Sequence, residues 1–435
     1  MSVTSLNFTE VGPIDQIAID FDREVTVFTG PNNSGKSTVL WVLGELLVFP
    51  FTMPSRMLRG DRGRWTLDVS VTGGTQSVQG TLPAGTDDLL SVYDNIGPAC
   101  YVPAHRYGTN FRSPGPTVGQ DTDSRLDQEL KLFYEEFPHQ VRSIGIERIR
   151  QAMRFAADRE DTPELTRRRK LMLVGPSLAS DEAIKQKIID LDYAASRLSK
   201  PEIRSTIDKV AEIAGDITEE FVIGFGGVAE DADGLYPQFI TRDGILPQDV
   251  LSQGTLSIMH ILAHLIFGFA EYYDFPTDFE DKPGILIIDE IDAHLHPSWQ
   301  RRMVPALKKH LPNLQIICST HSPLVMAGLE AGQVQLMRRD SENKVTISSN
   351  ESDVVGWSAD EILRNFMDVQ SPTDSKTASR ISRYRTLMDK TDLTSEEHEE
   401  LERLRPVVRD DLLQGPMMEP LSKFAEELKR SLQGN

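Results

Sequence analysis

Cysteine is nearly missing from this chain: Cys100 and Cys318 are the only two among 435 residues. Two thiols cannot build a disulfide framework or a cysteine-based metal cluster. Long apolar runs are missing as well. The longest, IMHILAHLIFGFA at 258–270, holds two histidines and falls short of the roughly 20 apolar residues that a bilayer span takes. It predicts a buried helix and no membrane partner. The opening MSVTSLNFTE has no basic block followed by an apolar one, so no secretory signal is read there and a cytoplasmic location is expected. Positive charge is also scarce, with 46 Lys and Arg against 66 Asp and Glu and a net charge of -20. Proteins that bind DNA draw much of their affinity from cations that release counterions from phosphate, so direct DNA binding is not favoured. Two local basic patches remain, Arg56, Arg59, Arg62 and Arg64 in one and Arg167 to Lys170 in the other. The plainer reading of each is a solvated face.

What is present is enough for ordinary cores. Hydrophobic residues make up 39% of the chain, and at roughly 150 residues per domain the length allows about two to three domains. From Leu6 to Thr29 apolar and polar residues alternate, with Ile17, Ile19 and Phe21 on one face, which predicts strands ending in Val25–Thr29. An apolar helix, STVLWVLGELLVF, follows, and WTLDVSVTGGTQSVQGTL predicts a hairpin turning at Gly73 and Gly74. ACYVPAHRYG predicts a short strand ended by Pro103.

From 121 to 215 the segments are charged and spaced as helices, without a heptad run or a Cys-x-x-Cys, so a compact helical insertion is expected rather than a coiled-coil arm. Strands return at EEFVIGF and YPQFIT, then at PGILIIDE and LQIICST. The last two are short apolar runs, as in strands buried on both faces of a parallel sheet. After 350 the tail reads as helical, with a capping box of Thr394 and Glu397. A stripe of Leu421, Phe424, Leu428 and Leu432 suits packing onto the body. The expected division is 1–120, 121–215, 216–350 and 351–435.

Four segments carry chemistry. GPNNSGKS has the form G-x-x-x-x-G-K-S between a strand and a helix, the context that a phosphate-binding loop requires. Its candidate nucleotide-binding residues are Gly30, Pro31, Asn32, Asn33, Ser34, Gly35, Lys36, Ser37 and Thr38. The glycines let backbone N–H groups wrap the phosphates, and the helix N-terminus adds positive potential. Lys36 would reach the β- and γ-phosphates of ATP, and Ser37 would ligate Mg²⁺. ILIIDE ends a strand in two acids, where Asp289 would hold Mg²⁺ and Glu290 would orient and deprotonate the attacking water. Alone, such a strand end is a weak signal; its force comes from the pairing with Lys36 and Ser37. STHSP puts His321 just beyond another strand, beside the nucleotide if the strands are neighbours, where it could contact the γ-phosphate or the water. LSQGTLS, at 251–257, holds no catalytic group and by itself announces only a helix start with a hydroxyl cap.

The order of these segments resembles that of the ABC-type ATPases, whose signature has the form Leu-Ser-Gly-Gly-Gln. Here Ser252 and Gly254 stand at matching places, while Gln253 and Thr255 depart from the pattern. The resemblance implies an α/β head with a mixed sheet and an antiparallel β subdomain. It also implies that Ser252 and Gly254 cap the γ-phosphate on a second subunit's loop, so that two ATP molecules are sandwiched in a dimer. DEIDAHLHPSWQRR narrows the match: SMC-like heads carry an acid where this chain has His296, and transporter cassettes place Pro-Thr after the catalytic Glu. The segment resembles the standalone ATPases related to the OLD proteins and RecF, as does YVPAHR with Arg106. GWSADEILRNFMDV resembles a segment of a subset that includes the ATPase subunits of Septu-type anti-phage systems.

OLD proteins append a TOPRIM nuclease. The residues after His321 show no apolar strand ending in Glu and no Asp-x-Asp on a strand, so any cutting is expected from a separate partner, an HNH nuclease by this resemblance. The expected function is therefore an ATPase that dimerises or assembles further and regulates a separate nuclease, reaching nucleic acid through that complex. The alternatives are a RecF-like repair ATPase that clamps DNA itself, a transporter cassette, and an ATPase with another protein client.

Overall fold

A computed structural model describes residues 2–48, 63–71, 74–82, 97–102, 181–232, 234–367, 369, 375–390 and 394–413. The chain divides into two compact units, Met1–Ile362 and Leu363–Asn435.

The first unit is built on a six-stranded sheet. Its strands are β3 (Val25–Thr29), β6 (Ala99–Val102), β10 (Gly284–Ile288), β11 (Leu314–Ser319), β12 (Val334–Arg339) and β13 (Val345–Ser349). The spatial order is β13-β12-β3-β11-β10-β6, parallel except for the edge pair β12–β13. β3, β10 and β11 are buried at every position, which explains why they read as unbroken apolar runs instead of alternating ones. The strand that ends in the candidate phosphate loop is thus the immediate neighbour of the strand that ends before His321. The strand ending at Asp289 is one further out.

A second, antiparallel sheet has the order β2-β1-β4-β5, from β1 (Ser2–Val11), β2 (Ile14–Asp20), β4 (Gly63–Val71) and β5 (Gly74–Leu82). β4 and β5 form the expected hairpin, with Val71 opposite Gly74. Its inner face, with Val3, Phe8, Trp65 and Leu67, joins Val39, Leu43 and Leu46 of α1 (Lys36–Leu47) and Ile285, Ile287 and Ile317 of the large sheet in one core. Each such large side chain contributes about 1.5–3 kcal/mol on burial. A buried amide locks the layers in register: Gln315 Oε1 accepts from Val3 N at 2.8 Å and its Nε2 donates to the carbonyls of Val3 and Asp22 at 2.8 Å.

Of the expected helical insertion, residues 181–217 form α2 (Asp181–Leu198) and α3 (Pro201–Ile217); residues 121–180 lie outside the described ones. α3 packs on a third, antiparallel sheet of β7 (Val222–Asp231), β8 (Gly234–Thr241) and β9 (Gly244–Pro247). The apolar run at 258–270 lies in α4 (Gln253–Tyr273), a helix long and apolar enough by composition to cross a membrane, but the window that passes that test is 83% buried inside the protein. It is a core helix, as its length of apolar run predicts. α5 (Pro297–His310) and the single turn α6 (Pro323–Met326) flank β11 in sequence.

α7 (Ala359–Phe366) carries the boundary between the units. In the second unit, α8 (Ser375–Met388) packs on α9 (Ser395–Leu413) through buried Leu387 and Leu401. The capping box is present: Thr394 N donates to Glu397 Oε2 at 3.1 Å, and Glu397 N to Thr394 Oγ1 at 3.3 Å. Lys390 and this cap hold the Glu397 carboxyl at about 2. The stripe from Leu421 to Leu432 lies outside the described residues.

Candidate nucleotide site

The loop after β3 is shaped by backbone that ordinary residues avoid. Gly30 has φ 139°, and a Cβ there would lie 2.1 Å from the carbonyl oxygen of Met337 on β12, so the loop can seat this deeply only with glycine. Asn33 at φ 63° and Gly35 at φ 101° complete the turn into α1. The N-terminus of α1 has no side-chain cap and no acid in its first turn, which leaves its N–H groups for an anion. Ser34 is 2% exposed, and its hydroxyl has no protein partner. An orphaned donor at an uncapped helix mouth fits phosphate. Pro31, Asn32 and Asn33 are exposed, Ser37 is half-buried and Thr38 is buried. Arg339, at the end of β12, grips the loop's outer rim, with Nη2 and Nε donating to Asn33 O at 2.9 and 3.2 Å. Its Nη1 reaches Asn343 O in the β12–β13 turn at 2.7 Å.

Lys36 lies across this loop with Nζ 2.9 Å from the carbonyls of both Gly30 and Pro31. Burial lowers its pKa, while Asp289, Glu290 and Asp292 pull it back up. Asp289 is 4% exposed and accepts from Ser319 Oγ at 2.5 Å. The same Ser319 oxygen accepts from Glu290 N at 2.8 Å. Glu290 itself is exposed, with φ 54°, a left-handed conformation that costs a non-glycine residue about 1–2 kcal/mol. It turns the chain sharply at the end of β10.

His321 follows β11, whose pairing with β3 continues through Thr320 N to Phe28 O at 3.0 Å. Asp292 Oδ1 steadies this turn, accepting from Thr320 Oγ1 at 2.5 Å and His321 N at 3.3 Å. Gln300 of α5 joins in: its Oε1 accepts from Ser322 Oγ at 2.6 Å and its Nε2 donates to Leu295 O at 2.9 Å. His321 reaches the surface, yet local burial and then Lys36 lower its pKa against the pull of Asp292, Glu290 and Asp289. Lys36, Asp289, Glu290 and His321 therefore share one electrostatic neighbourhood at the ends of three adjacent parallel strands. Among the described residues no group of three His, Cys, Asp or Glu could cage a metal. Mg²⁺ needs no such cage, since a hydroxyl and one carboxylate beside substrate phosphates suffice, and Ser37 with Asp289 fits that donor set.

The signature segment opens α4. Ser252 caps α4, its Oγ accepting from Thr255 N at 3.2 Å and lying 2.9 Å from Thr255 Oγ1, and it is exposed. The hydrogen bonds of Ser252 described here stay within its own helix start. Gly254 has a reason internal to the chain: a Cβ there would lie 2.8 Å from His294 O and 3.1 Å from the Trp299 ring. Ser257 Oγ donates to Ala293 O at 3.2 Å. The mouth of α4 thus rests on the loop that leads away from Glu290. His296, singled out in sequence, caps α5 by accepting from Ser298 N at 3.3 Å.

Sequence reasoning passed over Ser319, Asp292, Gln300 and Arg339. The hydroxyls of STHSP were a usable signal, since polar groups at a buried strand end need partners. Arg339 gave none, because β12 is remote from the loop in sequence. Arg56, Arg59, Arg62, Arg106 and Arg167 to Lys170 lie outside the described residues, and Arg64 is exposed on β4.

This combination of mixed α/β sheet, antiparallel β subdomain, phosphate loop, acid-ended strand and strand-end histidine resembles that of an ABC-type P-loop ATPase head. Residues 113–327, which contain the signature, Asp289, Glu290 and His321, match the family described as "AAA domain, putative AbiEii toxin, Type IV TA system". The chain is similar to "Retron Ec83 probable ATPase" of Escherichia coli, at 31% identity over 152 residues, 35% of this chain and 27% of that protein. It is also similar to Septu protein PtuA of Bacillus thuringiensis, at 29% over 156 residues, 34% of this chain and 39% of that one. An OLD nuclease of Thermus scotoductus matches at 24% over 354 residues, 74% of this chain and 60% of that protein. The chain thus spans well under half the length of the first two relatives. Among solved structures, an SMC head domain from Thermotoga maritima is similar at a TM-score of 0.39 and 13% identity, covering 81% of this chain and all of that one.

Proposed function

We propose that this protein binds and hydrolyses ATP at Gly30–Thr38, closes as a homodimer or larger assembly around the nucleotide, and regulates a separate nuclease in anti-phage defence. The observation that carries the ATPase part is the convergence of Lys36, Asp289, Glu290 and His321 beside an uncapped helix N-terminus. The defence role rests on the similarity to a retron ATPase and a Septu protein, and the HNH type of the nuclease on the resemblance of GWSADEILRNFMDV to Septu-type ATPase subunits. Nucleic acid would be met through the complex, in the cytoplasm, with no membrane involved.

In this reading the loop's N–H groups and Ser34 Oγ hold the phosphates, and Lys36 leaves the Gly30 and Pro31 carbonyls to reach the β- and γ-phosphates. Mg²⁺, held by Ser37 and Asp289, would offset phosphate charge. Ser319 orients Asp289 and fixes the Glu290 backbone, so that the exposed Glu290 carboxylate can orient and deprotonate water. His321, whose pKa burial and then Lys36 lower in the nucleotide-free protein, would offer a hydrogen bond to the γ-phosphate. Exposed Ser252 would serve the partner's nucleotide. A nucleotide-dependent interface of this kind shifts a bound effector only if that effector prefers one state.

The test combines ATP turnover with light scattering on the wild type and two variants. Lys36→Ala should lose nucleotide binding, and Glu290→Gln should bind ATP, stop turning over and accumulate as the dimer. Wild-type turnover by Glu290→Gln would remove Glu290 as the base. A monomeric Glu290→Gln protein at saturating Mg²⁺-ATP would remove the sandwich.

A further inference from the structure

Eight large hydrophobic side chains stand exposed among the described residues, and four belong to the β7–β9 region: Ile223 at 58%, Ile240 at 39%, Ile245 at 59% and Val250 at 62%. The three isoleucines lie at one end of the sheet, where β8 turns into β9. Ile240 and Ile245 are directly opposed across β8 and β9. Gly224, next to Ile223, opposes Ile240 on β7. A Cβ on Gly226 would lie 3.4 Å from Ile245 Cγ2, so that side chain lies over bare glycine backbone. Val250 ends the one-turn 3-10 helix Gln248–Val250, which packs on β8.

The core face of this sheet is already occupied. Phe225 and Phe239 are buried with ring centroids 5.6 Å apart, and Arg204 of α3 lies over the Phe225 ring at 4.3 Å. The isoleucines are on the other side. Scattered exposed apolar residues are ordinary, but a contiguous group with a polar rim marks an interaction surface.

The rim tells what kind. Among the described residues between 219 and 250 the acids are Glu219, Glu220, Glu230, Asp231, Asp243 and Asp249, against the single cation Arg242. Other helices supply a little compensation, Lys185 to Asp249 at 2.8 Å and Arg302 to Glu219 at 3.2 Å. Glu220, Glu230 and Asp243 remain exposed. An acidic rim repels nucleic acid and anionic lipid. It also opposes a second copy of this chain, which brings the same rim and the same net charge of -20.

We infer that the outer face of β7–β9 docks a separate protein whose apolar side chains are framed by Lys and Arg. The isoleucines supply the desolvated contact, and the acids steer and orient the partner. The face is defined without reference to nucleotide and stands whether or not ATP is turned over.

The experiment places the photo-crosslinker p-benzoylphenylalanine at Ile245 of the full chain in its native cell and identifies the adduct by mass spectrometry. The adducted protein is then purified, and its binding to this chain is measured calorimetrically at low and high ionic strength. The expected adduct is a different protein, cross-linked through an apolar segment flanked by Lys or Arg. Ile240→Asp with Ile245→Asp should weaken its binding about tenfold or more, as central apolar contacts do. Glu220→Lys with Asp243→Lys, which leaves the isoleucines intact, should slow association and flatten the salt dependence. An adduct to this chain itself, no adduct, or binding indifferent to both pairs of substitutions overturns the inference. An unchanged melting temperature in the charge-reversed protein keeps the test independent of folding.

Discussion

Ser319 Oγ lies 2.5 Å from Asp289 Oδ1 and accepts from Glu290 N at 2.8 Å, so one hydroxyl fixes both acids at the end of the neighbouring strand. Ser319 is 1% exposed and Asp289 4%. Ser319→Ala removes one donor from the Asp289 carboxylate and one acceptor from the Glu290 N–H. A buried hydrogen bond to a charged group contributes about 1.5–3 kcal/mol. Partners that orient a metal ligand are typically worth about 10–100-fold in metal affinity or activity. Turnover measured against Mg²⁺ concentration should therefore shift to higher Mg²⁺ and fall at saturation, while ATP binding in chelator stays as in the wild type. A wild-type Mg²⁺ profile would show that Asp289 is held by other means.

Arg339 tests a different link, from packing to affinity. Its guanidinium holds the Asn33 carbonyl through two nitrogens and ties the loop to the β12–β13 turn. Asn33 is left-handed at φ 63°, so without that grip the loop has a cheaper conformation to relax into. Arg339 is exposed, which limits the effect to about tenfold at most in ATP affinity. Arg339→Gln should raise KM for ATP several-fold with kcat nearly kept. Loss of kcat at unchanged KM would instead place Arg339 on the reacting phosphate.

The two cases show what was legible in sequence and what was not. GPNNSGKS, ILIIDE, STHSP and LSQGT are local, each with its strand or helix adjacent, and the strands they imply are present. Arg339 and Asn33 are 306 residues apart, and no periodicity or spacing carries a pairing of that kind. β12 and β13 went unread for a related reason: β13 alternates weakly, with Val345 buried and Ser348 and Ser349 exposed, as an edge strand does. The face of Ile223, Ile240 and Ile245 looked like ordinary strand residues, because sequence alternation does not say which side of a two-faced sheet meets the core.

His321 gives a pH prediction. Its pKa is lowered from the ordinary 6.5, so the unfolded chain binds this proton more readily than the folded one. Stability from this group is present above pH 6.5 and declines as pH falls through that unfolded value. It levels only below the lowered folded value. Nucleotide-free wild type should lose more melting temperature across that interval than His321→Gln. Parallel curves for the two proteins would mean that His321 titrates as a free histidine and that its neutral form is not enforced by burial and Lys36.

Gly254 and Ser252 separate the two roles of the signature. A Cβ at Gly254 would press on the fixed carbonyl of His294 at 2.8 Å and on the Trp299 ring at 3.1 Å, and forced overpacking of this kind costs about 1–3 kcal/mol. Gly254→Ala should therefore lower the melting temperature of the nucleotide-free monomer and change Trp299 emission, before any dimer is formed. Ser252 is exposed, and among the described residues it bonds only within its own helix start, as an N-cap, a position where Asp serves as well as Ser. Ser252→Asp keeps the cap and the monomer's stability but puts a negative charge where a partner's γ-phosphate would sit. It should bind ATP as a monomer and fail to dimerise. If Ser252→Asp still dimerises with ATP, the segment is a structural helix start and the subunits meet elsewhere.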